Sequence, residues 1–278
     1  MTDSDIMIED LCFQYPGGHV ALEHINMYVK CGSISALLGA NGSGKSTLLQ
    51  CMAGLLRPQH GKIYIQGKPI ASYKKELYKK VGMIFQNPDD QLFEPTVSDD
   101  IAYGLINLGF NTFEIHQAID HIAARLNIGD MLDKSIGSLS CGEKKKVAMA
   151  GVLVMQPDIL LLDEPTSGLD PLSAYELMQL VKDISISTGV SVIVATHDVD
   201  MVPVFCDYVF VLQAGHLCLS GSPEEVFMCK KAVRDARLRL PRIEHLVEIL
   251  HRDGMNIDTT CFTIGQARRQ LLKLVGKK

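Results

Sequence analysis

Apolar and polar residues alternate along the first part of the chain, which is typical of strands with one buried and one solvated face. The apolar positions are Ile6, Ile8, Leu11 and Phe13, and then Ile25, Met27 and Val29. Gly17 and Gly18 separate the two runs. We therefore expect two antiparallel strands joined by a turn at these glycines.

Farther along, short apolar runs alternate with helical patterns. The runs predict strands at residues 34–38, 61–67, 81–85, 159–162, 190–195 and 208–212. Residues 98–150 are predicted to be mainly helical, since their apolar residues recur at the spacing of one helix face. That face contains Ile119, Ile122, Ala123 and Leu126. Strands separated by helices indicate an α/β fold with a parallel sheet and crossover helices.

The C-terminal part of the chain differs from the rest in charge. The whole chain has a formal net charge of −5, whereas residues 230–278 carry twelve Lys or Arg and five Asp or Glu. A helix is predicted to begin at Pro223, and a basic, helical extension to follow at 229–278. The extension can contact anionic lipid, support dimerisation or regulate turnover, and a solvated basic face is the simplest interpretation.

One long segment has the opposite character. Residues 81–124 contain no Lys or Arg, but they contain Asp89, Asp90, Glu94, Asp99, Asp100, Glu114 and Asp120. The segment is therefore a candidate acidic surface, with an acidic solvated loop as the alternative.

Composition limits the other functions. The eight cysteines include no Cys-x-x-Cys pair, and the nine histidines show no helical pairing, so we expect no zinc site or disulfide framework. The longest apolar run, residues 147–155, is much shorter than the roughly 20 residues of a membrane helix. The N-terminus shows no signal-peptide pattern. We expect reduced thiols, and any membrane role is expected to depend on a partner.

Residues 39–47, Gly-Ala-Asn-Gly-Ser-Gly-Lys-Ser-Thr, fit the complete phosphate-loop pattern between a predicted strand and a predicted helix. Glycines let successive backbone amides turn toward phosphates, and the helix N-terminus adds partial positive charge. Lys45 would supply charge to the β- and γ-phosphates, and Ser46 a hydroxyl to Mg²⁺. The expected nucleotide contacts in the loop are Gly39, Asn41, Gly42, Ser43, Gly44, Lys45, Ser46 and Thr47.

A second motif completes the requirements for binding a nucleoside triphosphate with Mg²⁺. The apolar run at residues 160–162 ends in Asp163, and Glu164 follows. We expect Asp163 to hold Mg²⁺ and Glu164 to polarise the attacking water. An acidic residue at a strand end often only caps a helix, but a phosphate loop needs such a carboxylate partner.

With these two motifs and several further ones, the chain resembles the ATP-binding subunit of an ABC transporter. The resemblance is carried by residues 39–47, Gln86, Leu-Ser-Cys-Gly-Glu at 139–143, 160–164, Ser-Gly-Leu-Asp at 167–170 and His197. It implies a P-loop NTPase (RecA-like) core with an antiparallel β subdomain and an α-helical signature subdomain. The cassette would span 1–228, with the helical subdomain at about 87–150.

The resemblance also implies residue roles. Tyr15 would stack on adenine, with ordinary packing as the alternative, and Gln86 would sense Mg²⁺ and the attacking water while linking to the membrane partner. His197 would contact the γ-phosphate, and Asp170 the opposite subunit. The implied catalytic group is Glu164, His197, Gln86 and Lys45, and the implied Mg²⁺ ligands are Ser46, Gln86 and Asp163.

In the family, the positions of Ser140 and Gly142 bind the γ-phosphate held by the other subunit. The resemblance therefore implies a head-to-tail dimer, either a homodimer or a heterodimer with a paralogue. Two residues depart from the family pattern: Cys141 replaces a glycine, which would cause strain if that position required φ > 0, and Glu143 replaces glutamine. We expect the lysines at 144–146 to form a solvated helix face.

Residues 85–97 resemble the ATPases of energy-coupling-factor importers, particularly the cobalt and nickel branch, although vitamin importers share much of this segment. The implied partners are an integral membrane coupling subunit with arginine-bearing helices and a substrate-binding membrane component. Asp89, Asp90 and Glu94 would suit those arginines. The implied location is the cytoplasmic face of the cell membrane, reached through the partners, and no nucleic-acid partner is expected.

Other functions remain open. An ABC ATPase acting on DNA or the ribosome usually has two cassettes or a long coiled-coil insertion, and this chain has neither. Only residues 85–97 argue against an exporter or another type of importer. A binding protein without turnover is disfavoured by Glu164 and His197. The identity of the transported solute cannot be read from these motifs.

Overall fold

The computed structural model describes residues 4–258 and 260–274, so Lys277 and Lys278 of the predicted basic extension lie outside it. The strands are β1 (Ser4–Gln14), β2 (Val20–Lys30), β3 (Ile34–Leu38), β4 (His60–Ile65), β5 (Lys68–Pro69), β6 (Val81–Ile84), β7 (Ile159–Asp163), β8 (Ser191–Thr196), β9 (Tyr208–Gln213) and β10 (His216–Gly221). The helices are α1 (Lys45–Met52), α2 (Leu77–Lys80), α3 (Val97–Asn107), α4 (Thr112–Leu126), α5 (Cys141–Leu153), α6 (Pro171–Thr188), α7 (Val202–Phe205), α8 (Pro223–Met228), α9 (Lys230–Asp235), α10 (Arg242–Arg252) and α11 (Ile264–Leu274).

The first sheet has the order β2-β1-β4-β5 and is antiparallel. Its alternating apolar residues, including Ile6, Ile8 and Ile25, are buried, as the sequence predicts. The chain turns between β1 and β2 at Gly18, whose φ of 85° is in the left-handed region that glycine adopts readily. The predicted pair of antiparallel strands is confirmed.

The second sheet has the order β10-β9-β3-β8-β7-β6. Its neighbours from β9 to β6 are parallel, and β10 pairs with β9 as an antiparallel edge. Strands β3, β6, β7 and β8 are buried along their whole length, which explains their continuous apolar runs. The predicted α/β fold with a parallel sheet is confirmed, whereas the short β5 and the half-exposed β10 were not predicted.

Helix α1 packs between the two sheets. Its Leu48 and Leu49 are fully buried in a cluster with Ile8 from the first sheet and Leu161 from the second. Because the phosphate loop leads directly into α1, this packing fixes the loop at the carboxyl edge of the parallel sheet.

Residues 97–153 are mainly helical, as predicted, with two 3₁₀ turns between α4 and α5. Each of the three helices begins at a side-chain cap: Thr96, Asn111 and Ser140 accept hydrogen bonds from backbone N–H groups of the first turn. The predicted buried face of α4, at Ile119, Ile122, Ala123 and Leu126, is confirmed.

After β10, Ser222 caps α8, and the helix begins at Pro223 as predicted. Helices α10 and α11 pack around a small cluster of their own, formed by Val247, Ile257, Cys261 and Ala267. Leu240 and Phe262 also reach the second sheet, since both belong to a cluster that includes Val211 of β9.

Candidate active site

The predicted phosphate loop joins β3 to α1, and two of its glycines cannot be replaced without a shift of backbone. Gly44 has a φ of 106°, and a Cβ there would lie 2.6 Å from the Ala21 carbonyl oxygen. A Cβ at Gly39 would lie 2.6 Å from the Leu212 carbonyl oxygen. Close packing therefore requires glycine at both positions. Glycines also let the backbone amides of the loop turn inward, which gives the loop its concave shape.

Lys45 folds back over this loop. Its side chain is 6% exposed, and its ammonium donates a hydrogen bond to the Gly39 carbonyl at 2.8 Å. The same ammonium lies 3.5 Å from Glu164 Oε1. The positive charge is thus held between the loop and the end of β7, where a triphosphate would bring negative charge.

Asp163 is the last residue of β7 and is 5% exposed. Its Oδ1 has no hydrogen-bond partner among the residues that the structure describes. Burial, reinforced by the charge of Glu164, raises the pKa of Asp163 above its ordinary value, while Ser46 and Lys45 oppose the shift. A buried carboxylate oxygen without a partner is costly, and it is the kind of ligand that a hard cation such as Mg²⁺ prefers. The unpartnered Asp163 oxygen therefore fits the role of a Mg²⁺ ligand.

Glu164 follows with an unusual backbone. Its φ is 45°, and its N–H donates to the Ala195 carbonyl at 2.9 Å. Its carboxylate oxygens lie 2.9 and 3.0 Å from His197 Nδ1. Since β7 and β8 are adjacent parallel strands, their carboxyl ends bring Glu164 and His197 together. The carboxylate is consequently fixed from two sides, by His197 and Lys45.

These side chains surround a cavity of about 470 Å³, a size typical of small-molecule sites. It is lined by Tyr15, His19, Ala21, Asn41, Gly42, Ser43, Gly44, Lys45, Ser46, Thr47, Gln86, Glu164, Ser167 and His197. The structure thus brings most of the sequence-predicted site residues into one pocket. Gly39 contributes from beside it, through the hydrogen bond to Lys45.

The pocket wall that contains Tyr15 also contains His19, which the sequence did not suggest as a site residue. The Tyr15 hydroxyl hydrogen-bonds to Thr47 Oγ1 at 3.0 Å, and the Tyr15 ring is nearly parallel to the His19 ring, with centroids 6.4 Å apart. His19 and Ala21 reach the pocket because the turn at Gly18 returns β2 beside β1. Their only sequence signal was that turn.

Ser140 begins α5 and forms a capping box with Glu143. The Ser140 hydroxyl accepts from the Glu143 N–H at 3.3 Å, and Glu143 Oε2 accepts from the Ser140 N–H at 2.7 Å. The departure at Glu143 therefore serves helix initiation. Cys141 lies in the first turn of this helix with helical backbone, so the expected strain from a positive φ is absent there.

Five predicted site residues do not line the cavity. Gly39 and Asp163 adjoin it through Lys45 and Ser46, whereas Ser140, Gly142 and Asp170 lie at the starts of α5 and α6. Asp170 caps α6, since its Oδ1 accepts from the N–H groups of Leu172 and Ser173 at 3.0 Å. A hydrogen bond from the Ser173 hydroxyl is the main cause that lowers the pKa of Asp170. One chain alone therefore does not bring the three residues at these helix starts to its own phosphate loop.

The predicted solvated face at residues 144–146 is wrong for two of its lysines. Lys145 is only 4% exposed and donates hydrogen bonds to backbone carbonyls. Lys144 forms an ion pair with Asp89 at 2.6 Å. The periodicity of α5 could not reveal this, because the helix is covered on several sides.

The candidate acidic surface also needs a correction. Asp100 is buried, and its Oδ1 accepts hydrogen bonds from the N–H groups of Phe93 and Glu94 at 3.0 and 3.2 Å. It therefore shapes the loop before α3 and does not contribute to the surface. Asp89 and Asp90 are exposed on the same loop.

Comparisons with known proteins bear on this arrangement. A protein family described as ABC transporter matches residues 22–167. The energy-coupling factor transporter ATP-binding protein EcfA3 of Clostridium perfringens is 45% identical over 275 residues, which are 98% of this chain and 96% of that protein. EcfA of Methanocaldococcus jannaschii is 45% identical over 274 residues, 97% of this chain and 98% of that protein.

The chain belongs to the ATP-binding proteins of ABC transporters, of the energy-coupling-factor type.

Solved structures agree with this family. CbiO1 of Clostridium perfringens, described as part of the ABC transporter complex cbiONQ, has a TM-score of 0.77 and 44% identity, covering 89% of this chain and all of that one (100%). A dimeric post-hydrolysis state of the ATP-binding cassette MJ0796, bound to ADP and Pi, has a TM-score of 0.71 and 25% identity, covering 78% of this chain and 98% of that one. The protein is accordingly an ABC ATPase, which binds ATP and couples its hydrolysis to transport.

In the described part of this ABC ATPase, no helix combines the length and apolar character that crossing a bilayer requires.

Proposed function

We propose that this ATPase binds ATP with Mg²⁺ in the 470 Å³ cavity and uses its hydrolysis to drive import of cobalt or nickel ions through an energy-coupling-factor transporter. The observation that carries the catalytic part is the Glu164 carboxylate, held by His197 and Lys45 beside the unpartnered Asp163 oxygen. This constellation provides a general base next to a cation ligand.

Mg²⁺ would be held by Asp163, Ser46 and Gln86. Bound there, the ion would neutralise charge that develops on the phosphates. Gln86 lines the cavity two residues after the end of β6. The amides of residues 42–47 would surround the phosphates, and Tyr15 and His19 would offer their rings to adenine.

The chain's own residues determine how the attacking water is activated. Glu164 would accept a proton from the water, and His197 would keep the carboxylate turned toward it. Lys45 would exchange part of its contact with Glu164 for the β- and γ-phosphates. That exchange would release the carboxylate for catalysis only when a triphosphate is bound.

We further propose that hydrolysis requires two chains. Ser140, Gly142 and Asp170 lie outside the cavity, and the first-turn amides of α5 form a helix N-terminus suited to a phosphate. In a head-to-tail dimer, this helix would close the cavity of the other chain. The dimeric neighbour with ADP and Pi supports this assembly, which can be a homodimer or a heterodimer with a paralogue.

The surface for a membrane partner would be formed by Asp89, Asp90 and Glu94 of the loop before α3 and by Asp99 in the first turn of α3. Phe93 and Tyr103 are exposed beside it and contact each other edge to face, with centroids 4.7 Å apart. Acidic groups around exposed rings suit a basic amphipathic helix of a membrane subunit. Such docking would keep the ATPase at the cytoplasmic face of the membrane.

The proposed domains would follow one another along the sequence. Residues 1–228 would form the cassette, with its helical subdomain at about 87–150, and residues 229–278 the basic extension. The cobalt or nickel branch is supported by the segment 85–97 and by similarity to CbiO1. Import of a vitamin through the same type of transporter is the alternative, since the EcfA relatives carry a general name.

The test is transport by the membrane complex that co-purifies with the tagged chain. Asp89→Asn with Asp90→Asn should lower transport about tenfold while ATP binding is retained, because charge complementarity mainly orients the partner. The control removes the same charge elsewhere, with Asp120→Asn and Asp130→Asn at exposed positions. Equal transport in the two double variants would refute the coupling surface. ATPase stimulation by a vitamin and by neither Co²⁺ nor Ni²⁺ would refute the metal branch.

A further inference from the structure

Lys145 is a buried lysine that the proposed chemistry does not use. It lies near the start of α5, the helix whose first residues would bind the nucleotide of a second chain. Its ammonium donates to the carbonyl oxygens of Pro165 at 2.6 Å and Ser167 at 2.7 Å, and lies 3.4 Å from that of Glu164. A single turn of chain thus receives all the hydrogen bonds of this ammonium.

The charge has no acidic partner within 4 Å in the described part of the chain. Burial lowers the pKa of Lys145, although Cys141 and Glu164 oppose the shift. Burying an ammonium costs free energy, and its hydrogen bonds to the Pro165 and Ser167 carbonyls offset part of that cost. What the lysine stabilises is therefore the position of this one turn.

The turn that Lys145 holds, residues 164–167, begins at the candidate catalytic carboxylate, and Asp170 lies three residues beyond its other end. At the first end, Glu164 has a φ of 45°, a backbone conformation that is costly for a residue other than glycine. The Glu164 N–H is fixed to Ala195 of β8, while the carbonyl side of the turn is fixed by Lys145 of α5. The orientation of the Glu164 side chain consequently depends on both attachments.

The start of α5 also lies close to the two residues that follow this turn, Gly168 and Leu169. A Cβ at Gly168 would lie 3.8 Å from Cys141 Sγ, and a Cβ at Gly142 would lie 3.6 Å from Leu169 Cδ2. Neither glycine carries such an atom, so both distances show only that the two segments lie close together, with little side-chain packing between them at these points. The ammonium adds the directional bonds that packing alone does not provide.

We propose that Lys145 is a positioning residue that makes the α5 N-terminus and the 164–167 turn move as one unit. When Ser140 and Gly142 of a chain engage the nucleotide of its partner, Lys145 transmits that engagement to the chain's own Glu164. Each site then becomes competent only when the other is closed. This inference rests on the proposed head-to-tail dimer and on the proposed role of Glu164.

The experiment compares three variants in the complete transporter complex. Lys145→Met keeps the side-chain length and removes the charge and the donors, whereas Lys145→Gln keeps a donor. Lys146→Met is the matched control, because Lys146 is the next residue and is half-buried. Turnover, the KM for ATP and the thermal midpoint of the nucleotide-free protein are measured for each.

We expect Lys145→Met to lower kcat about 10- to 100-fold, the effect of a misplaced catalytic group. The KM should change by less than about threefold, and the thermal midpoint should change little, because removal of a buried charge offsets the loss of hydrogen bonds to two carbonyls. Lys145→Gln should recover part of kcat, and Lys146→Met should behave as the unchanged protein. Wild-type kcat in Lys145→Met, or a loss matched by an equal loss of folded protein, would overturn the proposal.

A second readout separates this inference from the proposed function. In a Glu164→Gln background, Lys145→Met should still form the ATP-dependent dimer at a similar ATP concentration. If Glu164→Gln alone hydrolyses ATP normally, the proposed catalytic role fails. If Glu164→Gln is inactive and Lys145→Met turns over normally, only the role of Lys145 fails.

Discussion

Asp163 at the carboxyl edge of the parallel sheet and Glu244 in the C-terminal extension are both buried carboxylates. Asp163 is 5% exposed and Glu244 is 0% exposed. Both have side-chain oxygens without a hydrogen-bond partner in the described part of the chain, and burial raises the pKa of both. Their surroundings, however, are different.

Asp163 faces Ser46 and Lys45 beside an open cavity, whereas Glu244 faces Lys230 of α9, whose ammonium lies 3.4 Å away. Lys230 also lies 3.7 Å from Glu248, and Arg234 lies 3.1 Å from that second carboxylate. The extension therefore balances its buried charge within the chain. At the nucleotide site, by contrast, the buried Asp163 carboxylate keeps an oxygen without a partner, as expected where a bound ligand supplies that partner.

The largest effect should come from the group that acts on water. Glu164→Gln should lower turnover by about a thousandfold, within the range that a general base contributes. Binding of ATP with Mg²⁺ should be retained, because the amide still fits between Lys45 and His197. Single-turnover hydrolysis and nucleotide binding measure the two effects. Turnover within tenfold of the unchanged protein would assign the chemistry elsewhere.

Asp163→Asn should have opposite effects on the stability of the nucleotide-free protein and on its stabilisation by ATP with Mg²⁺. Removing the buried charge should stabilise the nucleotide-free protein by about 1 kcal/mol, the scale of an unsatisfied buried group. The added thermal stabilisation by ATP with Mg²⁺ should disappear, and turnover should fall about a hundredfold. Thermal unfolding with and without the ligand tests this pair. Destabilisation of the nucleotide-free form would show that Ser46 and Lys45 already balance the Asp163 charge without a ligand.

In the extension, the corresponding change should act on stability alone. Lys230→Met leaves Glu244 buried without its cation and should destabilise the protein by about 2 kcal/mol. Turnover per folded protein should be unchanged. Lys231→Met at the adjacent exposed position is the matched control and should have little effect. Reduced turnover at unchanged stability would instead indicate that the extension regulates the ATPase.

Glu244→Gln should produce the smallest effect, with a defined pH dependence. Because burial raises the pKa of Glu244 above 4.5, the native state binds this proton more tightly than the unfolded state. Its contribution to stability is complete below pH 4.5 and is lost as the pH rises through the raised pKa. The variant should therefore gain about 1 kcal/mol at pH 7 and lose that pH dependence. A variant less stable at pH 7 would show that the Lys230 pair outweighs burial.

The sequence predicted correctly those parts of the molecule in which a local residue pattern is compatible with only one kind of structure. The phosphate loop and the ends of the parallel strands were located to within a residue or two, because buried parallel strands read as continuous apolar runs. Strand β10 was missed because its residues alternate between exposed and half-buried. The hairpin turn at Ala214 and Gly215, both with positive φ, was its available signal.

The misses at individual residues have a common cause. Lys145 follows another lysine in a helix start, and only the 164–167 turn packed above it makes it a buried donor. Asp100 belongs to an acidic run, and only the preceding loop folded onto its carboxylate removes it from the surface. His19 enters the cavity through strand pairing. Contacts between segments distant in sequence decide each case, and residue type or periodicity cannot report them.

The most direct measurement is the mass of Glu164→Gln in solution with saturating ATP and Mg²⁺, alone and combined with Ser140→Arg. We expect a dimer with one ATP per chain for Glu164→Gln. We expect a monomer that still binds ATP when Ser140→Arg blocks the α5 N-terminus. A Glu164→Gln protein that stays monomeric when saturated with ATP, or a dimer that forms equally well with Ser140→Arg, would rule out the head-to-tail nucleotide sandwich.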